Sequence, residues 1–172
     1  MAQNDHASVD SYRFLPQSFR ANFEAFPEQP DSYVRAEPHV PLAEAKVALL
    51  TTAGIYLKDS QPPFDLDRER REPLWGDPTY RVIPSNVRQD QIGVSHLHVN
   101  GDDIRDDINI ALPIPLFHQL AAEAKFGSLA KDHYSFMGYQ GASTDAWRTQ
   151  YGPEIARNLA DDAVNLVILA PA

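Results

Sequence analysis

The chain has 172 residues, with 15 Lys and Arg against 24 Asp and Glu for a formal net charge of -9. That is one domain's worth of chain, its charge disfavours nonspecific nucleic-acid or anionic-membrane partners, and 43% hydrophobic residues suffice for a core despite 14 prolines. The absence of cysteine excludes disulfides, thiolate metal sites and thiol nucleophiles within these residues.

The polar N-terminus carries no apolar signal-like run, and the longest apolar stretch, near 164–172, falls far short of the ~20 residues that cross a bilayer. The chain therefore reads as cytoplasmic. Residues 1–45 read as an irregular N-terminal arm packing on the core, with Tyr12, Phe14, Phe19, Phe23, Phe26 and Tyr33 set among Pro16, Pro27, Pro30, Pro38 and Pro41. Phe19, Phe23 and Phe26 recur at helical spacing and predict a short helix over 16–26.

From Lys46 the character changes. VALLTTAG predicts a buried strand over 46–52 that stops at Gly54. DLDRERRE (65–72) is helix-prone, but Pro62, Pro63, Pro73 and Pro78 limit it to two turns. YRVIPS predicts a strand over 80–84 and QIGVSHLH one over 92–97. IPLFHQLAAEAK (114–125) places Ile114, Leu116, Phe117, Leu120, Ala121 and Ala124 on one helical face. HYSFMGY predicts a strand over 133–137. Thr144 is the expected cap of a helix over 145–161, divided at Gly152 and Pro153, and VNLVILA predicts a last strand over 164–169.

Apolar strands alternating with helices predict an α/β fold for 46–172, a Rossmann-like three-layer sandwich around a mostly parallel sheet. Ligands of such sheets sit beyond the carboxyl ends of the strands. That rule nominates Thr51, Thr52, Gly54, Ser85, His96, His98, Gly138 and Tyr139, with Thr52, Gly54, His96, His98 and Tyr139 expected around one concavity. Thr51 to Gly54 are small and hydroxyl-bearing, which lets backbone approach an anion. His96 and His98, two apart on a strand, would share a face and could move or orient a proton. With Asp102 and Asp103 they form an alternative metal set for a hydrolase or lyase. Ser135 lacks the GxSxG context of an activated nucleophile, and no GxGxxG or Walker loop supports a nucleotide.

Four blocks in order, KVALLTTAGIYLKDSQPPFD (46–65), GDPTYRVIPSN (76–86), VSHLHVNGDDIRDDINIALP (94–113) and KDHYSFMGYQ (131–140), carry a family likeness. Together they resemble the B-component selenoprotein of the glycine, sarcosine, betaine and D-proline reductases, chiefly its shorter relatives. The resemblance implies an oxidoreductase component that reductively cleaves a C–N bond at the α-carbon of a small amino-acid-like substrate. A selenolate or thiolate attacks that carbon beside a pyruvoyl carbonyl on a partner subunit. Selenium suits the task because a selenolate is ionised at neutral pH and leaves readily.

The sequence departs from that pattern at its end. In such relatives a strand like VNLVILAPA runs into Cys or selenocysteine, a second Cys and a helix, whereas this chain ends at Ala172. Two explanations compete. Either a UGA selenocysteine codon directly after Ala172 was read as a stop, so that the C-terminal redox segment is missing, or the protein is a non-catalytic subunit or small-acid binding module without the motif. On the first, Thr51, Thr52 and Gly54 would receive an anionic substrate group, Ser85 and Gly138 would line the pocket, Tyr139 would wall it, and His96 and His98 would be its catalytic groups. No cofactor is expected within the chain itself, and a homo-oligomer stays open.

Overall fold

Apolar or small side chains occupy both faces of the segment Lys46–Thr51, so it forms a strand, β1, buried along most of its length. In the computed structural model, which describes Ala36 and residues 39–172 apart from Pro73 and Ala142, this strand is the axis of a mixed α/β fold. The aromatic arm and its expected helix over 16–26 lie outside the described residues.

After β1 come β2 (Ile55–Leu57), α1 (Leu66–Arg71), β3 (Arg81–Pro84), β4 (Ile92–Val94), α2 (Gly101–Asp106) and α3 (Ile114–Ala122). They are followed by β5 (Ser128–Leu129), β6 (Asp132–Ser135), a π-helical turn (Trp147–Tyr151), α4 (Gly152–Asp161) and β7 (Leu166–Ala170). Parallel to β1 on one side lie β5 and then β6, and on the other β7, in register from Val47 with Leu166 to Thr51 with Ala170. β3 runs antiparallel on the far side of β6, so the sheet is mostly parallel. The third predicted strand does not join it. β4 stops at Val94 and pairs antiparallel with β2 in a separate ribbon, leaving SHLH outside any strand.

Val47, Leu49, Ile83, Leu166 and Ile168 share one sheet face, where Ile55, Ile92, Ile104, Leu112 and Ile114 from the ribbon, α2 and α3 complete the core. On the other face Tyr80, Tyr134, Phe136, Trp147 and Tyr151 pack with ring centroids 5.4–6.1 Å apart. The Tyr80 hydroxyl donates to Glu154 at 2.7 Å, and burial together with that carboxylate pushes its pKa up to about 12. This layer stops short of β7, where Val167 and Leu169 stay 37% and 70% exposed.

Gly152 and Pro153 do not end the helix that precedes them. A proline ring crowds the carbonyl four residues back in an α-helix. Here the turn before it widens, with Gly152 N–H donating to the Trp147 carbonyl five residues back, and the helix continues. At its start the hydroxyl that accepts the Asp145 amide, at 3.0 Å, comes from Ser143, while the Thr144 carbonyl accepts Arg148 N–H.

Between β5 and β6 the chain swings away from β1 after the Ala130 amide donates to the Val47 carbonyl. The Leu49 amide facing this break donates to His133 Nδ1 at 3.1 Å. The imidazole is fully buried and its Nε2 has no hydrogen-bond partner among the described residues. Burial first, and then the charge of His118, push its pKa down to about 4. Because the folded value lies below the ordinary 6.5, the native state is favoured above pH 6.5 and loses that advantage as pH falls toward 4. Urea unfolding across that window is expected to show up to about 3 kcal/mol of lost stability, and His133→Gln, which keeps an acceptor for Leu49, is expected to flatten the dependence.

Candidate functional site

All the parallel strands end at one edge, and a short set of backbone bonds ties their exits together. Gly54 N–H donates to the Phe136 carbonyl at 2.9 Å, Ser95 N–H to the Gly54 carbonyl at 2.9 Å, and Ile55 N–H to Ser135 Oγ at 2.7 Å. Ser135 is fully buried in that structural task. Gly54 has φ +64°, and a Cβ there would run into the Ser95 carbonyl and sit 2.8 Å from Met137 Sδ. Only glycine meets both conditions.

Leaving β4, the chain turns through His96 and His98. The His98 amide donates to His96 Nδ1 at 3.1 Å, and the rings stand edge-on with centroids 6.2 Å apart. An occupied Nδ1 leaves the His96 ring hydrogen on Nε2. Burial, and then the neighbouring His98 charge, lower the His96 pKa, so His96 is neutral near pH 7.

Both histidines line a cavity of about 220 Å³ with Glu69, Trp75, Met137 and Tyr139. Glu69 and Trp75 were not among the residues nominated from the sequence. Their place depends on a brace far from them in the chain. The guanidinium of the buried Arg81 donates to the carbonyls of Pro62 and Pro63 at 2.9 and 3.2 Å and stacks on Phe64 at 4.1 Å, which fixes the entry to α1. Asp77 Oδ2 accepts the Asp65 amide at 3.1 Å, and the Asp77 amide donates to Glu69 at 3.2 Å. α1 thus turns Glu69 inward, and burial raises its pKa, with the charges of Asp77 and Asp65 acting in the same direction. On the opposite wall the Tyr139 ring lies over Gly141 and its backbone against Gly76, and a Cβ on either glycine would collide with it.

A second hollow of about 380 Å³ is walled by Leu50, Thr51, Thr52, Phe136, Trp147 and Leu169. Gly138 meets the wall of this hollow at Thr52. A Cβ on it would lie 3.2 Å from Thr52 Cβ and 3.5 Å from the Ala172 carbonyl oxygen. The Ala172 amide donates to Thr52 Oγ1 at 2.9 Å, and the same hydroxyl lies 3.3 Å from the Ala172 carbonyl. Thr51 is buried, its Oγ1 accepting the Ala53 amide at 3.2 Å.

His96, His98 and Tyr139 thus share the first cavity, with Gly54 behind its Met137 wall. Thr51 and Thr52 line the second, apolar hollow, and Gly138 touches Thr52. Ser85 is not with them. It follows an antiparallel strand, so its carboxyl end emerges at the opposite edge, where its amide donates to Lys131 and its hydroxyl lies 3.0 Å from His118 Nε2. Asp102 pairs with Arg105, and Asp103 accepts the Asn100 side-chain amide at 2.9 Å. Among the described residues no three His, Asp or Glu side chains are arranged to hold a metal ion, and no helix is long and apolar enough to cross a membrane.

The family model described as "Glycine/sarcosine/betaine reductase selenoprotein B" matches residues 17–172. A curated relative, "D-proline reductase subunit gamma" of Acetoanaerobium sticklandii, is 34% identical over 128 residues, which are 74% of this chain and 49% of that protein. The chain therefore spans about half the length of the relative it matches. No solved structure matches it.

Gly54→Ala is expected to lower stability by at least about 2 kcal/mol, since it adds a left-handed backbone penalty to a collision with main-chain atoms. Gly138→Ala, which meets only a side chain and a chain end, is expected to cost less than about 1 kcal/mol. Urea midpoints of the two variants check the contrast.

Proposed function

The chain belongs to the glycine/sarcosine/betaine reductase selenoprotein B family, and from that premise we propose that it is a component of a reductase cleaving a C–N bond at the α-carbon of a small amino-acid-like substrate. The observation that carries this reading is the position of Ala172. Held by Thr52 and beside Gly138, it lies at the sheet edge that also bears His96 and His98. Pro171, just before it, lines the apolar hollow, so a residue joined to Ala172 would begin close to that hollow.

The nucleophile is then supplied from outside these residues, as a Cys or selenocysteine directly after Ala172. Nothing within them replaces it, for Ser135 is buried and committed to the Ile55 amide. A pyruvoyl group on a partner subunit would supply the carbonyl that activates the amine. This chain contributes the pocket. His96, neutral with its hydrogen on Nε2, can donate a hydrogen bond, and the exposed His98 can pass a proton to solvent. The anion-binding role foreseen for Thr51 and Thr52 is weakened by the bonds their hydroxyls already make. On the same reading the fold is a Rossmann-like three-layer sandwich whose layer over Val167 and Leu169 is completed from elsewhere.

A second reading is a non-catalytic subunit that keeps the pocket. The two separate experimentally. The chain as given is expected to show no turnover with glycine, sarcosine, betaine or D-proline, even with a dithiol. If the first reading holds, the codon after Ala172 is UGA followed by an open frame, and an extended chain carrying Cys there reacts with an alkylating reagent. Another stop codon, or no frame beyond it, leaves the non-catalytic subunit; turnover by the chain as given overturns both.

A further inference from the structure

We infer that the aromatic layer on the sheet is a one-electron path: an oxidising radical that enters the apolar hollow takes an electron from Trp147, and Tyr80 replaces that electron while its hydroxyl proton passes to Glu154. The inference goes beyond the reductase reading and does not rest on it. Its starting point is the contrast between the two faces of the sheet. One face is covered by aliphatic side chains, among them Leu49, Ile55, Ile83 and Ile92, so burying this sheet does not in itself call for oxidisable rings. The other face holds Tyr80, Tyr134, Phe136, Trp147 and Tyr151.

The path starts at the hollow, where Trp147 and Phe136 form part of the wall. The Trp147 ring lies 5.4 Å from that of Phe136, centroid to centroid, and Phe136 lies 6.1 Å from Tyr80. One packed ring therefore separates the indole from the phenol. Trp147 Nε1 donates to the Pro78 carbonyl at 3.0 Å. A carbonyl accepts a hydrogen bond but does not take the proton, so an indole that gives up an electron here stays a radical cation and draws an electron from its neighbour.

Tyr80 is the neighbour equipped to supply it. A phenol yields an electron readily when its proton can leave at the same time, and the Tyr80 hydroxyl already donates to Glu154 Oε1 at 2.7 Å. Burial first, and then that carboxylate, keep the phenol protonated up to a pKa of about 12, so oxidation has to move the proton. The radical in the hollow gains one electron from Trp147, Trp147 is restored by one electron from Tyr80, and a phenoxyl radical and a carboxylic acid remain. A soluble ene-diol reductant returns the electron to Tyr80, becoming a radical itself, and the half-buried Glu154 returns the proton. Oxidising equivalents are thereby led out of the hollow before they attack its walls.

Pulse radiolysis of the purified chain tests this, with azide radical as the oxidant because it takes electrons from tryptophan in preference to tyrosine. The chain has two tryptophans, so Trp75→Phe leaves Trp147 alone to be oxidised. In that background the indole radical is expected to decay as a tyrosyl radical rises, at a rate independent of protein concentration. Tyr80→Phe keeps the packed ring and is expected to remove the rise, whereas Tyr56→Phe, on the β2–β4 ribbon, leaves it unchanged. Glu154→Gln keeps an acceptor for the hydroxyl but supplies no base, and is expected to slow the transfer about a hundredfold. Circular dichroism and urea midpoints matching the parent establish that these variants fold. No tyrosyl radical, a rate that climbs with protein concentration, or transfer unchanged in Tyr80→Phe or in Glu154→Gln would each overturn the proposal.

Discussion

β1 has hydrogen-bonding groups on both edges along six residues, and a buried strand cannot leave them unpaired. β7 satisfies one edge continuously, from Val47 to Thr51. The other edge is shared by β5 at its start and β6 at its end, and His133 receives the amide left between them. An imidazole does here what a carbonyl does elsewhere in the sheet. Every parallel neighbour of β1 is thereby held in the same direction, and the exits of β1, β6 and β7 are brought to one edge.

That edge would be three loose loop ends without the bonds among Gly54, Ser95, Ser135 and Phe136. They are short, buried and mostly main-chain, so the cavity floor is as rigid as the sheet. The outer wall is built differently. Arg81, on β3, reaches back to Pro62 and Pro63, and Asp77 joins α1 to the following loop, so a six-residue helix too short to persist alone is held by side chains from outside it. The result is two hollows, one with a carboxylate and two imidazoles set among apolar side chains, the other apolar throughout.

Much of the sheet was legible because strands buried on both faces read as apolar runs: VALLTTAG and VNLVILA announce β1 and β7 without ambiguity. β2 and β5 were too short to stand out, at three and two residues. His96, His98 and Tyr139 were nominated by the rule that sites lie past strand ends, and they line one cavity, although the histidines meet through a turn and a backbone bond and not by sharing a strand face. Ser85 shows where that rule stops, since strand direction is set by tertiary pairing and leaves no local mark. Glu69 was hidden for a similar reason. In DLDRERRE it looks like one more solvated charge, and what turns it inward is Arg81 twelve positions later.

The π-helical turn at Trp147–Tyr151 holds one residue more than an α-helical turn would, and that surplus sets the phase of everything before it. Losing a single residue there would restore regular winding and rotate the preceding segment by about 100°. Trp147 would then swing away from the Pro78 carbonyl and from Phe136, and the apolar hollow would lose a wall while α4 stayed in place. Chain length in this stretch is therefore a heritable dial on the shape of the hollow: relatives that differ by one residue between Ala146 and Gly152 would present different apolar surfaces on the same sheet.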